Sequence, residues 1–316
     1  MMVKRRPKRK KPFLKKTLLV DRKKLLLIGS VSLFIVFCIF LNLLVLIWDN
    51  VSLKSDRSFT DSLDKSLKQA RLWILSNRSA VLGRPNAALL RMLDECSRLN
   101  KDSQIVEIVN TFMLTPSSPD CWKALIDPNR PVNSRELNET FKDASIDNKW
   151  VLCVISKENL DTSLEKLGLF DGSRWKKRLL THQLWALTHL RERMKNDSKI
   201  DRLVNHLTDR LKKELTFDTA VVDIYIQKIA FTLRAGFPEK IRRRWIERVI
   251  ADQSKDGGWN DQWFWYQSGR RPVLKSLPSN QHTTIQAYWL LCQVKYEYPD
   301  YFGVLKEKDK SKTETK

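Results

Sequence analysis

The stretch AVVDIYIQKIAFTL (220–233) decides the fold, because at helical spacing it presents apolar side chains on nearly every face. A helix of that kind belongs inside a protein, and 218–235 is expected to be an inner one. Its neighbours are patterned differently. Upstream, 174–195 carries Leu179, Leu180, Leu184, Trp185, Leu187 and Leu190, and 198–215 is amphipathic. Downstream, after Ala235-Gly236-Phe237-Pro238, residues 239–253 predict a basic amphipathic helix with Ile241, Trp245, Ile246, Val249 and Ile250 on one side. Inner apolar helices alternating with outer amphipathic ones describe two concentric layers.

The same period runs through the earlier chain. In 103–113, Ile105, Val106, Ile108, Val109, Phe112 and Met113 form the stripe of a half-buried helix, and similar stripes occupy 61–76, 86–99, 134–144 and 161–169. Gly83-Arg84-Pro85, Pro116-Ser117-Ser118-Pro119, Asp127-Pro128-Asn129-Arg130-Pro131 and Gly172 separate them. Connections this short favour antiparallel packing of consecutive helices. No hairpin series is visible, so the expected fold class is all-α.

Between the basic helix and the next apolar one the chain reads RVIADQSKDGGW (248–259). Two glycines permit a tight turn with positive φ, and Trp259 can then fold back over the preceding helix end. The pattern resembles the repeat motif of the terpenoid-cyclase and prenyltransferase superfamily, with Gln253, Asp256, Gly257, Gly258 and Trp259 at the matching positions. Arg248 stands where that motif usually opens with an aromatic residue. In the superfamily the motif is structural and staples the outer helices of an α/α toroid, so the resemblance implies that fold over 174–297 and implies no particular reaction. SNQHTTIQAYWLL (279–291) looks like a toroid's inner helix starting near the central cavity, and THQLWALTHL (181–190) like a degenerate counterpart. The family's chemistry does not carry over: Asp-x-Asp-Asp and DDxxD are absent, as is the Cys-His pair of lanthionine cyclases, and of the zinc ligands of protein prenyltransferases only His282 has a counterpart. No metal and no cofactor are therefore expected, since one histidine is not a zinc site.

The address comes from the amino terminus. Leu25 to Trp48 are 24 residues without a charge, enough at about 1.5 Å per residue to cross a hydrocarbon core roughly 30 Å thick. A cleaved signal peptide has a shorter apolar stretch, about 7–15 residues, which makes 25–48 a retained signal anchor. Of the net charge of +22, residues 1–24 carry +11 from twelve basic residues against Asp21, and 306–316 carry +2, leaving +9 between them. After the apolar stretch, Lys54, Arg57, Lys65 and Lys68 are balanced by Asp49, Asp56, Asp61 and Asp64. The positive-inside rule then predicts a type II protein of the cell or inner membrane: a cytoplasmic tail (1–24), the anchor (25–48), a juxtamembrane stalk (49–60), an extracytoplasmic helical domain in periplasm or lumen (61–303) and a charged tail (304–316). Contact with anionic lipid accounts for KRRPKRKK (4–11) without a nucleic-acid partner. At 42% apolar, with nine Gly and eleven Pro, the chain is neither wholly disordered nor collagen-like. Cys38 falls in the anchor; Cys96, Cys121, Cys153 and Cys292 allow three pairings that sequence leaves open, Cys153 reading as a buried thiol in WVLCVI.

Candidate site residues are few. His282, Gln286, Trp289 and Gln293 fall on one helical face, either a cavity wall or a solvated stripe. Asp223 and Gln227 interrupt the apolar inner helix, and a buried carboxylate needs a partner, with Lys228 and Arg234 the nearest cations. Asp223 and His282 suit general acid–base chemistry if both face one cavity. His182 and His189, at i, i+7, lie about 10.5 Å apart along their helix and form no chelate. WNDQWFWYQSGRRP (259–272) brings Trp263, Trp265, Tyr266, Arg270 and Arg271 into one loop, suited to a sugar, an isoprenoid or another chain, or else to plugging the core. The basic run Arg242-Arg243-Arg244 reads as a solvated outer face. With no complete catalytic set, the expectation is a membrane-anchored binding or scaffold module; the alternative is an enzyme acting on a glycan or isoprenoid lipid. The expected partner is the membrane, crossed once, with a glycan, an isoprenoid lipid or a membrane protein as further candidates and no nucleic acid.

Overall fold

A computed structural model describes residues 14–51, 58–83, 85–116, 120–156, 177–194, 197–218, 221–260 and 278–304. Among them the chain is helical and forms no strand. Contacts divide it into two units, Met1–Asp49 and Asn50–Lys316. The basic run 4–11, the stripe at 161–169 and residues 305–316 of the charged tail lie outside the described residues.

The first unit is built on α1 (Leu14–Val51), which contains the whole predicted anchor. Its window Lys24–Leu41 has a mean hydropathy of 2.5 and is nowhere buried against protein. Among the described residues it is the one helix long and apolar enough to cross a membrane.

The second unit runs α2 (Phe59–Ser76), α3 (Arg78–Gly83), α4 (Ala87–Asn100), α5 (Ser103–Leu114), α6 (Asp120–Lys123), α7 (Ser134–Asp143), α8 (Ile146–Ser156), α9 (Lys177–Arg193), α10 (Ser198–Phe217), α11 (Asp223–Arg234), α12 (Arg243–Ala251), α13 (Gln281–Cys292) and α14 (Pro299–Phe302). Several starts are set by side-chain caps. Asn86, Asp102, Asn133, Asp197 and Asn280 each accept backbone N–H groups of the following first turn, worth about 1 kcal/mol apiece. Two expected helices are shorter than their apolar pattern. Val222 is extended, so the inner helix begins only at Asp223. The basic helix breaks into a 3₁₀ turn (Pro238–Lys240) and α12, because Ile241 and Arg242 are extended. The WVLCVI run, which has no helical stripe to read, lies within α8.

Helices α9, α11 and α13 are parallel and adjacent. Thr181, Trp185 and Glu192 of α9 meet Gln227, Phe231 and Arg234 of α11 in matching order, and Asp223 and Phe231 of α11 meet His282 and Trp289 of α13. The amphipathic α10 packs on α9 and α11 through Ile200, Val204, Leu207, Leu211 and Leu215, all buried. On α12 the buried side is Trp245, Ile246 and Val249. Full burial of each such side chain stabilises the fold by about 1.5–3 kcal/mol. Helix α4 lies antiparallel along α13, since Asn100 donates to the Tyr288 hydroxyl (2.9 Å) while the earlier Glu95 accepts from the later Trp289 (2.9 Å).

Candidate functional site

The DGGW turn sets where α13 begins. Gly257 has φ 91°, and a Cβ there would stand 2.7 Å from the Gln69 carbonyl oxygen of α2. Gly258 is needed for a different reason: its φ is not positive, but a Cβ would lie 2.5 Å from Cβ of Ser279. Asp256 accepts from the Gly258 N–H (3.1 Å), Ser279 Oγ (2.7 Å) and Trp73 Nε1 (3.2 Å). Burial pushes that carboxyl up, but these donors together hold it below its ordinary range. Gln253 donates to the carbonyls of Gly257 (2.8 Å) and Ser66 (3.0 Å). Trp259 folds back onto α12, its indole N–H on the Val249 carbonyl (2.8 Å), while its backbone pairs with Thr284 and Asn280. One turn thus fastens α12, α2 and the start of α13 together. Arg248, at the usual aromatic position, is buried over the Tyr225 ring and donates to the Asp218 carbonyl (3.1 Å).

From that start His282 reaches α11. Its Nε2 lies 3.8 Å from Asp223 Oδ2, with the two side chains 40% and 36% exposed. Gln286, one turn further in, places Nε2 3.0 Å from the same ring nitrogen. Gln286 is 3% exposed, and its Oε1 is buried without a hydrogen-bond partner. Behind them Thr181 donates to Gln227 (2.9 Å), both side chains buried. All three parallel helices therefore contribute polar groups near their amino-terminal ends.

Neither expected cation is the partner of Asp223. Lys228 points about 140° further round the helix and pairs with Glu214 (3.0 Å) and Asp218 (2.7 Å). Arg234 is three turns away and pairs with Glu95 (3.2 Å) and Glu192 (2.5 Å). The arginine run is also less solvated than its sequence suggests, with Arg243 stacked 4.2 Å over Phe59 and bonded to Glu247 (3.1 Å).

Below the polar layer the space between α9, α11 and α13 is filled. Trp185 stacks on Phe231 at 5.9 Å and Phe231 meets Trp289 edge-on at 5.5 Å, the three being 5%, 3% and 1% exposed. Trp289, a candidate for the wall of an open cavity, is thus core. Its indole N–H ends on Glu95, which also accepts from Arg91 and Arg234. Glu95 is the hub that sequence reasoning missed; the only signal was an acid set among Leu89, Met92, Leu93 and Cys96. Among the described residues no three His, Cys, Asp or Glu side chains converge as a metal centre requires. Trp263, Trp265, Tyr266, Arg270 and Arg271 lie outside the described residues. No family model, curated protein or solved structure matches the chain.

Proposed function

We propose that the chain is a single-pass, membrane-anchored binding module. Its amino terminus is cytoplasmic, and its toroid-like helical domain presents the Asp223–His282–Gln286 site on the extracytoplasmic side. The anchor is supported by the run of exposed apolar side chains from Leu25 to Leu41, which water would not leave uncovered along a helix. The +11 charge before them supports the orientation. A toroid-like arrangement is supported by three parallel inner helices, the amphipathic helices between them, and the Gln253–Trp259 turn.

Binding rather than catalysis is supported by one observation: Trp185, Phe231 and Trp289 pack as buried rings between α9, α11 and α13, next to the polar groups of the site. The polar site is left partly open to water, whereas acid–base catalysis gains from a dry, enclosed site. A carboxylate, an imidazole and a buried amide suit a hydroxyl-rich ligand such as a glycan. The aromatic-rich segment 259–272 precedes α13 in the sequence, and aromatic side chains of its kind suit the faces of a sugar ring. A second reading, an enzyme acting on a glycan or isoprenoid lipid, is favoured only by the closeness of Asp223 and His282.

Calorimetric titration of the full chain in lipid nanodiscs with a panel of soluble glycans separates these. The module binds one class, loses it on His282→Ala, and returns the ligand unchanged by mass spectrometry. Release of a cleaved or transferred product establishes the enzyme instead. Folded protein that binds nothing in the panel removes the glycan reading, and a carboxyl-terminal tag digestible only from the cytoplasmic side removes the topology.

A further inference from the structure

One turn beyond Trp185 along α9, the core opens into a cavity of about 240 Å³ between α4, α8, α9 and residues 124–128. Leu125, Val151, Val154 and Ile155 make its apolar side. Its polar side is Arg91, His189, Glu192 and Arg193. Two of these four are already satisfied. Arg91 is bonded to Glu95 (3.1 Å) and to the Ile126 carbonyl (3.0 Å), and Glu192 is paired with Arg234 (2.5 Å). The other two are not: His189 Nε2 and Arg193 Nη1 are both buried and have no hydrogen-bond partner. Among the described residues Arg193 forms no salt bridge. Buried polar atoms in folded proteins are nearly always paired, so two orphans lining one cavity require an explanation.

We propose that this cavity binds a small amphiphilic monoanion, its short apolar body against α8 and its carboxylate, or an equivalent singly charged acceptor, on Arg193 and His189. The chemistry follows from the donors. A guanidinium has N–H groups only, so whatever satisfies the buried Nη1 of the half-buried Arg193 must accept, and an anion meets both that donor and its charge. His189 Nδ1 faces Glu192 at 3.6 Å, which leaves Nε2 to meet the same head group. An ammonium compound would place a second cation beside Arg193. The volume is that of about eight waters and falls below the roughly 300 Å³ at which drug-sized pockets begin, so a disaccharide or a polyprenyl chain does not fit. The site shares no residue with Asp223, His282 and Gln286. Trp185 stands between the two, stacked on Phe231 and edge-on to His189 at 5.2 Å.

Hexanoate, hexan-1-ol and hexylamine are titrated into the full chain in nanodiscs, with heats from empty nanodiscs subtracted. Hexanoate is expected to bind about tenfold or more tighter than hexan-1-ol, the advantage of a charge-assisted hydrogen bond, and hexylamine not at all. Arg193→Gln should abolish the preference for the acid while leaving the alcohol unchanged. Val154→Trp should fill the cavity and remove both, with Ala186→Leu as the second block should the tryptophan variant not fold. The proposal is overturned by folded wild type that takes up no hexanoate, or by an Arg193→Gln variant that keeps the preference. It is equally overturned by hexanoate binding that survives a folded blocking variant.

Discussion

His282 Nε2 stands 3.8 Å from Asp223 Oδ2 across two parallel helices, each side chain more than a third exposed. A carboxylate–imidazole contact that open to water contributes about 0–1 kcal/mol even when charged, so stability is a poor reason for its presence. Asp223→Asn and His282→Ala should each change the unfolding free energy by less than about 1 kcal/mol while abolishing ligand binding. Urea denaturation checks the first half and calorimetry the second. A loss of several kcal/mol in either variant would make the pair structural and empty the site of function.

The two glycines of the turn fail differently from an ordinary one. Gly257→Ala puts a side chain on a left-handed residue against the Gln69 carbonyl, and should cost about 2–4 kcal/mol. Gly258→Val should cost as much through collision with Ser279 and Thr284, not through its backbone angles. Gly83→Ala, where nothing lies within 4 Å of the added carbon, should stay within about 1 kcal/mol of the parent. Equal melting curves for Gly257→Ala and Gly83→Ala would show that the turn is not what holds α2 against α13.

What could be read in the sequence was whatever repeats along one helix. Burial of one face leaves a local period, which is why α2, α4, α5 and α10 lie close to where their stripes fall. The short α8 hid in a run without that period, since WVLCVI suits a strand as well as a helix. Pairing across helices leaves no such trace. Lys228 and Arg234 stood on the same helix as Asp223, yet rotation and distance along it sent them to Glu214 and Glu95, and His282 became the neighbour. Trp289 shares a face with His282 and Gln286, but the wheel does not say what stands opposite, and Phe231 fills that place.

Asp252 gives the domain a pH dependence opposite to that of most acids. Burial at the end of α12 pushes its carboxyl up to about 8, with Arg248 opposing only in part. An unfolded aspartate titrates near about 3.9, so between those values the folded state holds the proton more tightly and stability falls as pH rises. Asp252→Asn should flatten this slope and leave the variant more stable than the parent at pH 8. Unfolding free energies measured from pH 4 to 9 decide it; an unchanged slope would mean that Asp252 is ionised in the fold and stabilised by its neighbours.

The cysteines test the compartment. Cys96 of α4 and Cys292 of α13 are fully buried, and the Asn100–Tyr288 hydrogen bond one turn away on each helix sets the register that brings them together. Burial, then the neighbouring Cys292, pushes the Cys96 thiol well above its ordinary range, and since both side chains are closed off from solvent neither should meet an alkylating reagent in the native protein. Of the three pairings open to the four domain cysteines, this is the one in which the fold places both partners side by side. In an oxidising compartment a thiol–disulfide oxidant can link them during folding, its disulfide leaving as two thiols while the two cysteines give up two electrons and two protons. Full-length protein taken from native membranes into N-ethylmaleimide and digested without reductant should yield a 96–292 linked peptide, with Cys121 and Cys153 labelled after denaturation. Both Cys96 and Cys292 labelled instead, in a protein that does form the link when refolded with glutathione disulfide, would place the domain on the reducing side and overturn the proposed topology. Failure to form it in either experiment would show that the two sulfur atoms cannot reach bonding geometry.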